Sequence, residues 1–434
     1  MSANIGSQRT GYSKDEKKGH TLAGIRRPVK HVRPRKCFIH KLPSELLCEI
    51  FMICGDPNPM TDYPRDYLMH SHDGPRFRYR FSRMVVTLGY VCSRWLHATR
   101  GCPPLWTLID VAFPQPRDVV ALRLCLEYSA GLPLALQLCE TERAPKDMDV
   151  CRSFMRLVAA HPHRWAEISI GLELAFDILD PLLALPSGSF TSLAKTSVHL
   201  LDRDESYGCF PDFDLLKLFY SSPALRNVEW WCDPYEKPHI TSVPMHQLTH
   251  IGLKYFRPEH LFELLRSCPQ LEVLQVSLQP SMQTLASRIP DSEWLPAGAP
   301  AIVLRHLHAM ALCGLVDWSR LYECLVVPAL RRLELNQSGV HTSAIEDMLQ
   351  RSGSQLRLLT IFRPFKGWMD NIKELLRSPV MASLQIVRYE VYINTARRPD
   401  WETGDIMPFV PPRVDVYTTH RSVAEKAYST LRMR

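Results

Sequence analysis

The chain has 434 residues, 46% apolar and 22% charged, a composition typical of a folded protein with two or three domains, which excludes general disorder. It contains no run of about 18 apolar residues, and its first residues lack the apolar centre of a signal peptide. We therefore expect an intracellular protein, cytoplasmic or nuclear, without a membrane span. The thirteen cysteines include no Cys-x-x-Cys pair, which predicts reduced thiols and no zinc framework.

Positive charge concentrates at the amino terminus. Residues 1–36 hold ten Lys or Arg against Asp15 and Glu16, a charge of +8, so the rest of the chain sums to −1 of the total of +7. A near-neutral body argues against a folded nucleic-acid surface. Two interpretations of this tail remain open, a disordered solvated arm or a nuclear address in "RRPVKHVRPRK".

The stretch "KLPSELLCEIF", residues 41–51, predicts the first helix. Ser44 can cap its start, and Glu45 lies in the first turn, where the positive end of a helix favours an anion. Gly55 is a suitable end. The apolar residues at helical spacing are Leu46, Leu47, Ile50 and Phe51. Because so short a helix is marginal alone, its apolar side must face either the core of this chain or another protein.

A second helical region follows a polar segment. Residues 55–83 are rich in Pro, Asp and Gly and predict a long irregular loop. From about 84 to 113 the sequence predicts helix and apolar structure, with Gly101 and two prolines closing the helix. Its apolar residues at helical spacing are Val85, Leu88, Val91, Cys92, Trp95 and Leu96. These few helices bury too little surface to be stable without support from the rest of the chain or from a partner.

A recurring phrase fills the chain after about residue 120. It consists of a helix end, often Ser-Pro or Cys-Pro, and then Leu-x-x-φ-x-φ with φ apolar, most clearly in 218–231, 264–278 and 325–337. The alternation predicts a short strand with one buried face, and the proline disfavours helix just before it. The leading apolar residues are Trp165, Leu193, Leu225, Leu248, Leu271, Leu307, Leu330, Leu356 and Leu384.

These leading residues lie 23 to 36 positions apart, a range that overlaps the ~20–29-residue period of leucine-rich repeats. Stacked units of this kind form a solenoid with a long exposed surface. The strand residues expected to face solvent there are Glu229, Trp231, Glu272, Gln275, Arg332 and Glu334. The alternative is a leucine-rich α/β protein in which such phrases recur by chance.

The front of the chain resembles the F-box, the helical module by which substrate-recognition subunits of cullin-type ubiquitin ligases dock onto the Skp adaptor. The family pattern is Leu-Pro-x-Glu-φ-φ-x-x-Ile-Phe, then Val-Cys-x-x-Trp, then Leu-Trp. It is matched at Leu42, Pro43, Glu45, Leu46, Leu47, Ile50, Phe51, Val91, Cys92, Trp95, Leu105 and Trp106. With its irregular repeats, the chain is similar to F-box-like proteins abundant in mushroom-forming fungi. It departs from the pattern in the long insertion 55–83 and in Arg83-Met84, which replaces a short acidic connection.

The resemblance implies an α plus α/β fold, a small F-box-like helical module followed by an irregular leucine-rich-repeat solenoid. The implied domains are a basic tail at 1–36, the module at 38–113, repeats at 120–398 and a C-terminal cap or tail at 399–434. It also implies a non-catalytic receptor that binds a Skp-type adaptor, and through it a cullin, and that holds a protein substrate on its repeats. The implied adaptor-binding residues are Leu42, Pro43, Leu46, Leu47, Ile50, Phe51, Val91, Cys92, Trp95 and Leu96. For Trp95, contact with the adaptor and packing within the module are both open.

Few features of the sequence favour an enzyme. There is no Gly-x-Gly-x-x-Gly, phosphate loop, Gly-x-Ser-x-Gly or His-Glu-x-x-His motif, so we expect no catalytic residue and no cofactor. The acidic clusters at 147–149, 202–205 and 212–214 are expected to be solvated turns. The histidine pairs, which we expect to bind no metal, are His70/His72, His161/His163 and His306/His308.

Two further alternatives concern partners. The run "RFRYRFSR" at 76–83 invites a nucleic-acid interpretation, but one short run does not make a stacking platform, and we expect it to lead into the second helix. The competing function is a leucine-rich-repeat scaffold without a ligase connection. Its front helices would only cap the first unit, since terminal repeats need a cap.

Overall fold

The computed structural model describes residues 38–55, 81–139, 147–172, 176–200, 212–231, 244–254, 258–277, 300–314, 317–336, 339–362, 366–393, 406–422 and 429–433. The predicted basic tail and most of the predicted loop 55–83 lie outside these residues. The chain divides into two units, Met1–Pro43 and Ser44–Arg434. In the first unit a 3-10 helix spans Phe38–Lys41, and the backbone N–H of Leu42 donates to the carbonyl of Ile39 at 3.4 Å.

The second unit contains both helices and strands. Its helices are α1 Ser44–Gly55, α2 Phe81–Gly89, α3 Ser93–Arg100, α4 Pro116–Tyr128, α5 Met148–Ala159, α6 Asp180–Leu183, α7 Asp212–Tyr220, α8 Pro258–Ser267, α9 Ser319–Cys324, α10 Thr342–Ser352 and α11 Met369–Arg377. Its strands are β1 Leu108–Val111, β2 Leu134–Cys139, β3 Trp165–Leu172, β4 Lys195–Leu200, β5 Asn227–Trp231, β6 His250–Lys254, β7 Val273–Ser277, β8 Ile302–Val303, β9 Ala309–Cys313, β10 Leu325–Val326, β11 Arg332–Asn336, β12 Leu358–Phe362, β13 Ile386–Ile393, β14 Asp415–Ser422 and β15 Ser429–Met433.

Thirteen of the strands form one sheet in chain order, from β1 through β7, β9 and β11 to β15. Neighbouring strands are parallel except for the antiparallel pair β14 and β15, while β8 and β10 form a separate parallel pair. Parallel neighbours need crossover connections, and these connections carry most of the helices. The predicted mixture of helices and strands is confirmed, and the structure adds that most neighbouring strands are parallel.

The nine leading apolar residues of the recurring phrases occupy equivalent places beside this sheet. All nine are at most 1% exposed. Leu225, for example, lies two residues before Asn227, at which β5 starts to pair with β4 and β6. Leu330 has the same offset from Arg332 in β11. The side chains from successive strands therefore stack in one buried row.

Alternation along each strand separates two faces. In β7, Leu274 and Val276 are fully buried on one face, whereas Val273 and Gln275 are half-buried on the opposite face. Successive side chains of a strand point to opposite faces, so one face supplies the core and the other is left for polar residues. This is the pattern that the phrase "LEVLQV" predicts.

The sheet extends past two of the domain limits expected from the sequence. Residues 108–111, placed by the sequence pattern in the segment 38–113 with the module's helices, form β1 and pair with β2. At the other end β14 pairs with β13, so the sheet continues beyond residue 399. The reason is that strand pairing is decided by a neighbouring strand, which a local helical pattern does not record.

One arginine joins two connections of the sheet. In the 3-10 turn Pro162–Arg164, the Arg164 guanidinium donates to the carbonyl of Leu126 at 3.1 Å, to Oγ of Ser129 at 2.8 Å and to the carbonyl of Leu132 at 2.7 Å. These bonds attach the start of β3 to the end of α4. Charge-assisted hydrogen bonds of this kind are stronger than neutral ones.

Replacing Arg164 with methionine is expected to lower the free energy of unfolding by about 2 kcal/mol, because the aliphatic stem is kept while three hydrogen bonds are lost. Urea unfolding followed by circular dichroism measures the loss. Arg123→Met, at an exposed position on α4, is the matched control and should change little. Equal effects of the two substitutions would contradict the assigned role of Arg164.

Candidate docking surface

One face of α1 is enclosed by the chain itself. The helix packs against α3, and also against α2 and the 3-10 turn Pro103–Trp106. Leu47 and Phe51 point into this contact and are 0% and 1% exposed. Residues four apart lie on the same side of a helix, which explains why both are buried together. Sγ of Cys48, between them, lies 3.4 Å from the carbonyl oxygen of Ala98 in α3.

Two tryptophans hold this helical region together. The half-buried Trp95 ring lies 4.8 Å from the Phe51 ring at 58°, a tilted arrangement that aromatic pairs favour. Trp106 is buried, donates its indole N–H to the carbonyl of Thr99 at 2.7 Å, and lies 5.0 Å from the ring of Tyr128 in α4. Of the two roles open for Trp95, packing within the chain therefore has a structural basis.

A second face of α1 presents apolar side chains to solvent. Leu46 is 44% exposed, Ile50 36% and Ile53 59%. Their spacing of four and three residues places them in one row, which we call the outer stripe of α1. Among the described residues, ten large apolar side chains are exposed, and six of these belong to α1 or to the turn after α2. They are Leu46, Ile50, Met52, Ile53, Tyr90 and Val91.

The turn between α2 and α3 adds the other two exposed apolar residues. Tyr90 is 85% exposed and Val91 58%. The backbone N–H of Tyr90 donates to the carbonyls of Val86 and Thr87, at 3.2 and 3.1 Å, and this ends α2. Contiguous exposed apolar residues on a folded chain commonly mark an interaction surface.

The structure sorts the ten predicted adaptor-binding residues into three groups. Leu46, Ile50, Val91 and Pro43 are exposed; Leu42, Cys92, Trp95 and Leu96 are half-buried; Leu47 and Phe51 are enclosed. Leu42 and Pro43 belong to the first unit and the other eight to the second. Leu47 and Phe51 therefore serve the core of the helical region, and no surface is left on them for a partner.

The sequence pattern missed three exposed residues, Met52, Ile53 and Tyr90. For Ile53 a signal was present, because it lies seven positions after Leu46 and so continues the same side of the helix. Met52 and Tyr90 have no such periodic signal.

Three cysteine thiols, one of them on α1, have a pKa above the ordinary value. Burial, together with the neighbouring thiol of Cys102 and the charge of Glu45, raises the pKa of the Cys48 thiol to about 11. Burial also raises the pKa of Cys125 and of Cys268, each to about 12. The thiolate is the reactive form, so these thiols are poor nucleophiles at neutral pH.

The structure gives contacts for two of the other sequence-based candidates, Asp147 and the pair His161/His163. Oδ1 of Asp147 accepts from the backbone N–H of Asp149 and of Val150, at 3.1 and 3.2 Å, and so caps α5. The rings of His161 and His163 are 6.5 Å apart, and no group of three potential metal ligands occurs among the residues described. The pair His70/His72, the cluster 202–205 and most of 76–83 lie outside the described residues.

The polar face of the sheet differs along its length. At β3 to β5, Lys195 pairs with Glu167 at 3.1 Å, and the Ser197 hydroxyl donates to Glu229 at 3.2 Å. The next strand carries Gly252 at this row, where a Cβ would lie only 3.0 Å from Cγ of Glu229. Glycine thus leaves room for the Glu229 side chain, which is half-buried.

At β11 the side chains on the same face of the sheet are largely shielded from solvent. Glu334 is 0% exposed, and Oε2 of its carboxylate lies 3.4 Å from Nη2 of Arg332, whose side chain is 11% exposed. The prediction that Glu334 faces solvent is therefore wrong. Strand alternation indicates on which face of the sheet a side chain lies, but not whether other parts of the chain cover that face. The half-buried Glu229, Glu272 and Gln275 keep part of their surface accessible.

No helix within the described part of the chain is both long and apolar enough to cross a membrane. In comparisons with known proteins, no family model matches this chain, and no curated protein matches it.

Proposed function

We propose that this chain is the substrate-recognition subunit of a Skp-cullin-F-box ubiquitin ligase. In this proposal α1, α2 and α3 form the F-box-like module that binds a Skp-type adaptor, and the sheet with its connecting helices is an irregular leucine-rich-repeat solenoid that holds a protein substrate. The chain performs no chemistry. It raises the effective concentration of a substrate lysine near a ubiquitin carrier, which is catalysis by proximity.

The observation that carries the proposal is the exposed outer stripe of α1. Leu47 and Phe51 already provide the core contacts of this helix, so Leu46, Ile50 and Ile53 are not needed to hold it in place. Covering such side chains with a partner contributes about 25 cal/mol for each Å² of apolar area removed from water. An adaptor interface of about 1,200–2,000 Å² in total would be ordinary, with a few buried anchors supplying most of the affinity.

The solenoid part of the proposal is supported by the row of nine leading residues. They recur along the chain, lie at one register position beside the sheet and are buried. Polar side chains also connect successive units. The hydroxyl of Ser222 donates to the carbonyl of Leu193 at 2.8 Å, and that of Ser383 to the carbonyl of Leu356 at 2.9 Å. Stacking of neighbouring units is how repeat proteins bury their cores.

The direct test is co-elution of the full chain with a Skp-type adaptor, using wild type and the double variant Leu46→Asp plus Ile50→Asp. We expect the wild type to bind and the variant to lose at least about a hundredfold in affinity, because two charges replace two apolar anchors. Both positions are exposed, so circular dichroism should show an unchanged fold. Val120→Asp, at a 56% exposed position on α4, is the matched control and should bind normally.

A second candidate function is a repeat scaffold without a ligase connection. It is favoured by one contact, the packing of α2 against β1, the first strand of the sheet. In that case the front helices serve as a cap for the first unit, which terminal repeats require. A folded wild-type chain that fails to bind the adaptor would favour this function over the ligase.

A further inference from the structure

A row of basic side chains follows the edge of the sheet at which the strands begin. His308, Arg331 and Arg357 each precede a strand by one residue, in β9, β11 and β12, and all three are exposed. Arg305 is also exposed and lies in the segment that enters β9. We call these four residues the basic edge.

Backbone hydrogen bonds set the spacing of the basic edge. The N–H of Arg331 donates to the carbonyl of His308 at 3.0 Å, and the N–H of Arg357 to that of Arg331 at 2.8 Å. The same ladder continues to Glu272 on one side and to Gln385 on the other, at 2.9 Å each. Neighbouring strands lie about 4.8 Å apart, so the two arginines start from adjacent backbone positions.

Charge along this edge is one-sided. The segments entering β9, β11, β12 and β13 are 304–308, 327–331, 353–357 and 379–385, and they contain three arginines but no Asp or Glu. By contrast, the Arg320 guanidinium on α9 pairs with the carboxylate of Glu323 at 2.9 Å. Arg305, Arg331 and Arg357 form no ion pair with any residue that the structure describes. Adjacent like charges across strands are destabilising, and an anionic partner would remove that cost.

We propose that the basic edge binds an acidic segment of a protein, one rich in Asp or Glu and held in an extended conformation. Guanidinium groups form paired hydrogen bonds with carboxylates, which suits this chemistry. Three strands span about 10 Å, a distance that about three extended residues cover. The inference rests on the proposed function, for which it names the chemistry of the substrate.

A nucleic acid is the less suitable occupant. Non-specific binding to phosphates needs a broad basic surface, usually with aromatic side chains on which bases stack. Here the basic residues form a narrow row that ends at Glu272.

The test measures binding of a labelled peptide of alternating glutamate and glycine to the full chain by fluorescence anisotropy. We expect saturable binding that weakens with added salt, and a loss of at least about tenfold in Arg331→Glu plus Arg357→Glu, since two attractions become repulsions. Arg226→Glu is the matched control, because Arg226 holds the same register position before β5, is exposed, and has no basic neighbour in the row. It should bind like the wild type. The matching glutamine peptide should not bind.

Three results would overturn the inference: no binding of the glutamate peptide, equal losses in the Arg226 control and the double variant, or binding of a single-stranded RNA oligonucleotide that is tighter than that of the peptide and is lost in the double variant. If the double variant proves unfolded, Arg331→Gln plus Arg357→Gln, which removes the two charges without reversing them, is compared with the Arg226 control in its place. Adaptor binding is measured separately with the same preparation. Peptide binding without adaptor binding overturns only the ligase proposal, and adaptor binding without peptide binding overturns only this inference.

Discussion

Leu47→Ala is expected to lower the free energy of unfolding of the helical region by about 3 kcal/mol, while Leu46→Ala, one residue earlier, changes it by less than about 0.5 kcal/mol. Leu47 is 0% exposed and Leu46 is 44% exposed, so only the first substitution leaves a cavity. Hydrogen exchange of α1 and α3 together with urea unfolding measures both losses.

The substitutions at Leu46 and Leu47 should also differ in their effect on adaptor binding. Under the proposed function, Leu46→Ala weakens the complex without loosening α1, whereas Leu47→Ala loosens α1 first and binding follows. The same substitution, leucine to alanine, therefore tests the docking role at Leu46 and the core role at Leu47. Equal loss of stability in both variants would contradict the division of α1 into an inner and an outer face.

Trp165→Ala is expected to be the most damaging single substitution in the sheet region, at about 3–5 kcal/mol. Trp165 is 0% exposed, and its indole N–H donates to the carbonyl of Val158 at 2.9 Å. Removing the ring leaves a cavity between β3 and α5 and also leaves that carbonyl without its donor. Both effects act in the same direction.

Trp165→Phe is the informative control, since it keeps most of the ring volume and loses the N–H donor. A loss of about 1–2 kcal/mol is expected for it. Hydrogen exchange should show the loosening in β2 and β4, the strands that pair with β3, and not in β11 or β12. Uniform loosening of the whole sheet, or no difference between the two variants, would contradict this account.

Several features could be predicted from local sequence alone. Leu225 and Leu330 were placed before strands by the alternation that follows them, and each lies where its strand is about to pair. The signal is local because a half-buried strand must alternate whatever its neighbours are. The helix at residues 44–55 was likewise predictable from Ser44, Glu45 and Gly55.

Other features depended on contacts between distant segments. Leu46 and Leu47 are adjacent on a helix, about 100° apart around its axis, and helical spacing favours neither as the inner residue. The packing of α3 against α1 buried Leu47 and left Leu46 outside. Glu334 was expected in solvent because it alternates with core residues, yet it is enclosed beside Arg332.

By itself the sequence determined the helix at residues 44–55 and the buried apolar residues that precede the recurring strands. Only the tertiary structure decided which side of α1 remains open, that β1 joins the sheet, and that His308, Arg331 and Arg357 lie side by side. The physical reason is the distance along the chain over which each effect acts. Backbone preference and alternation act over a few residues, whereas burial and charge clustering are set by neighbours far away in the chain.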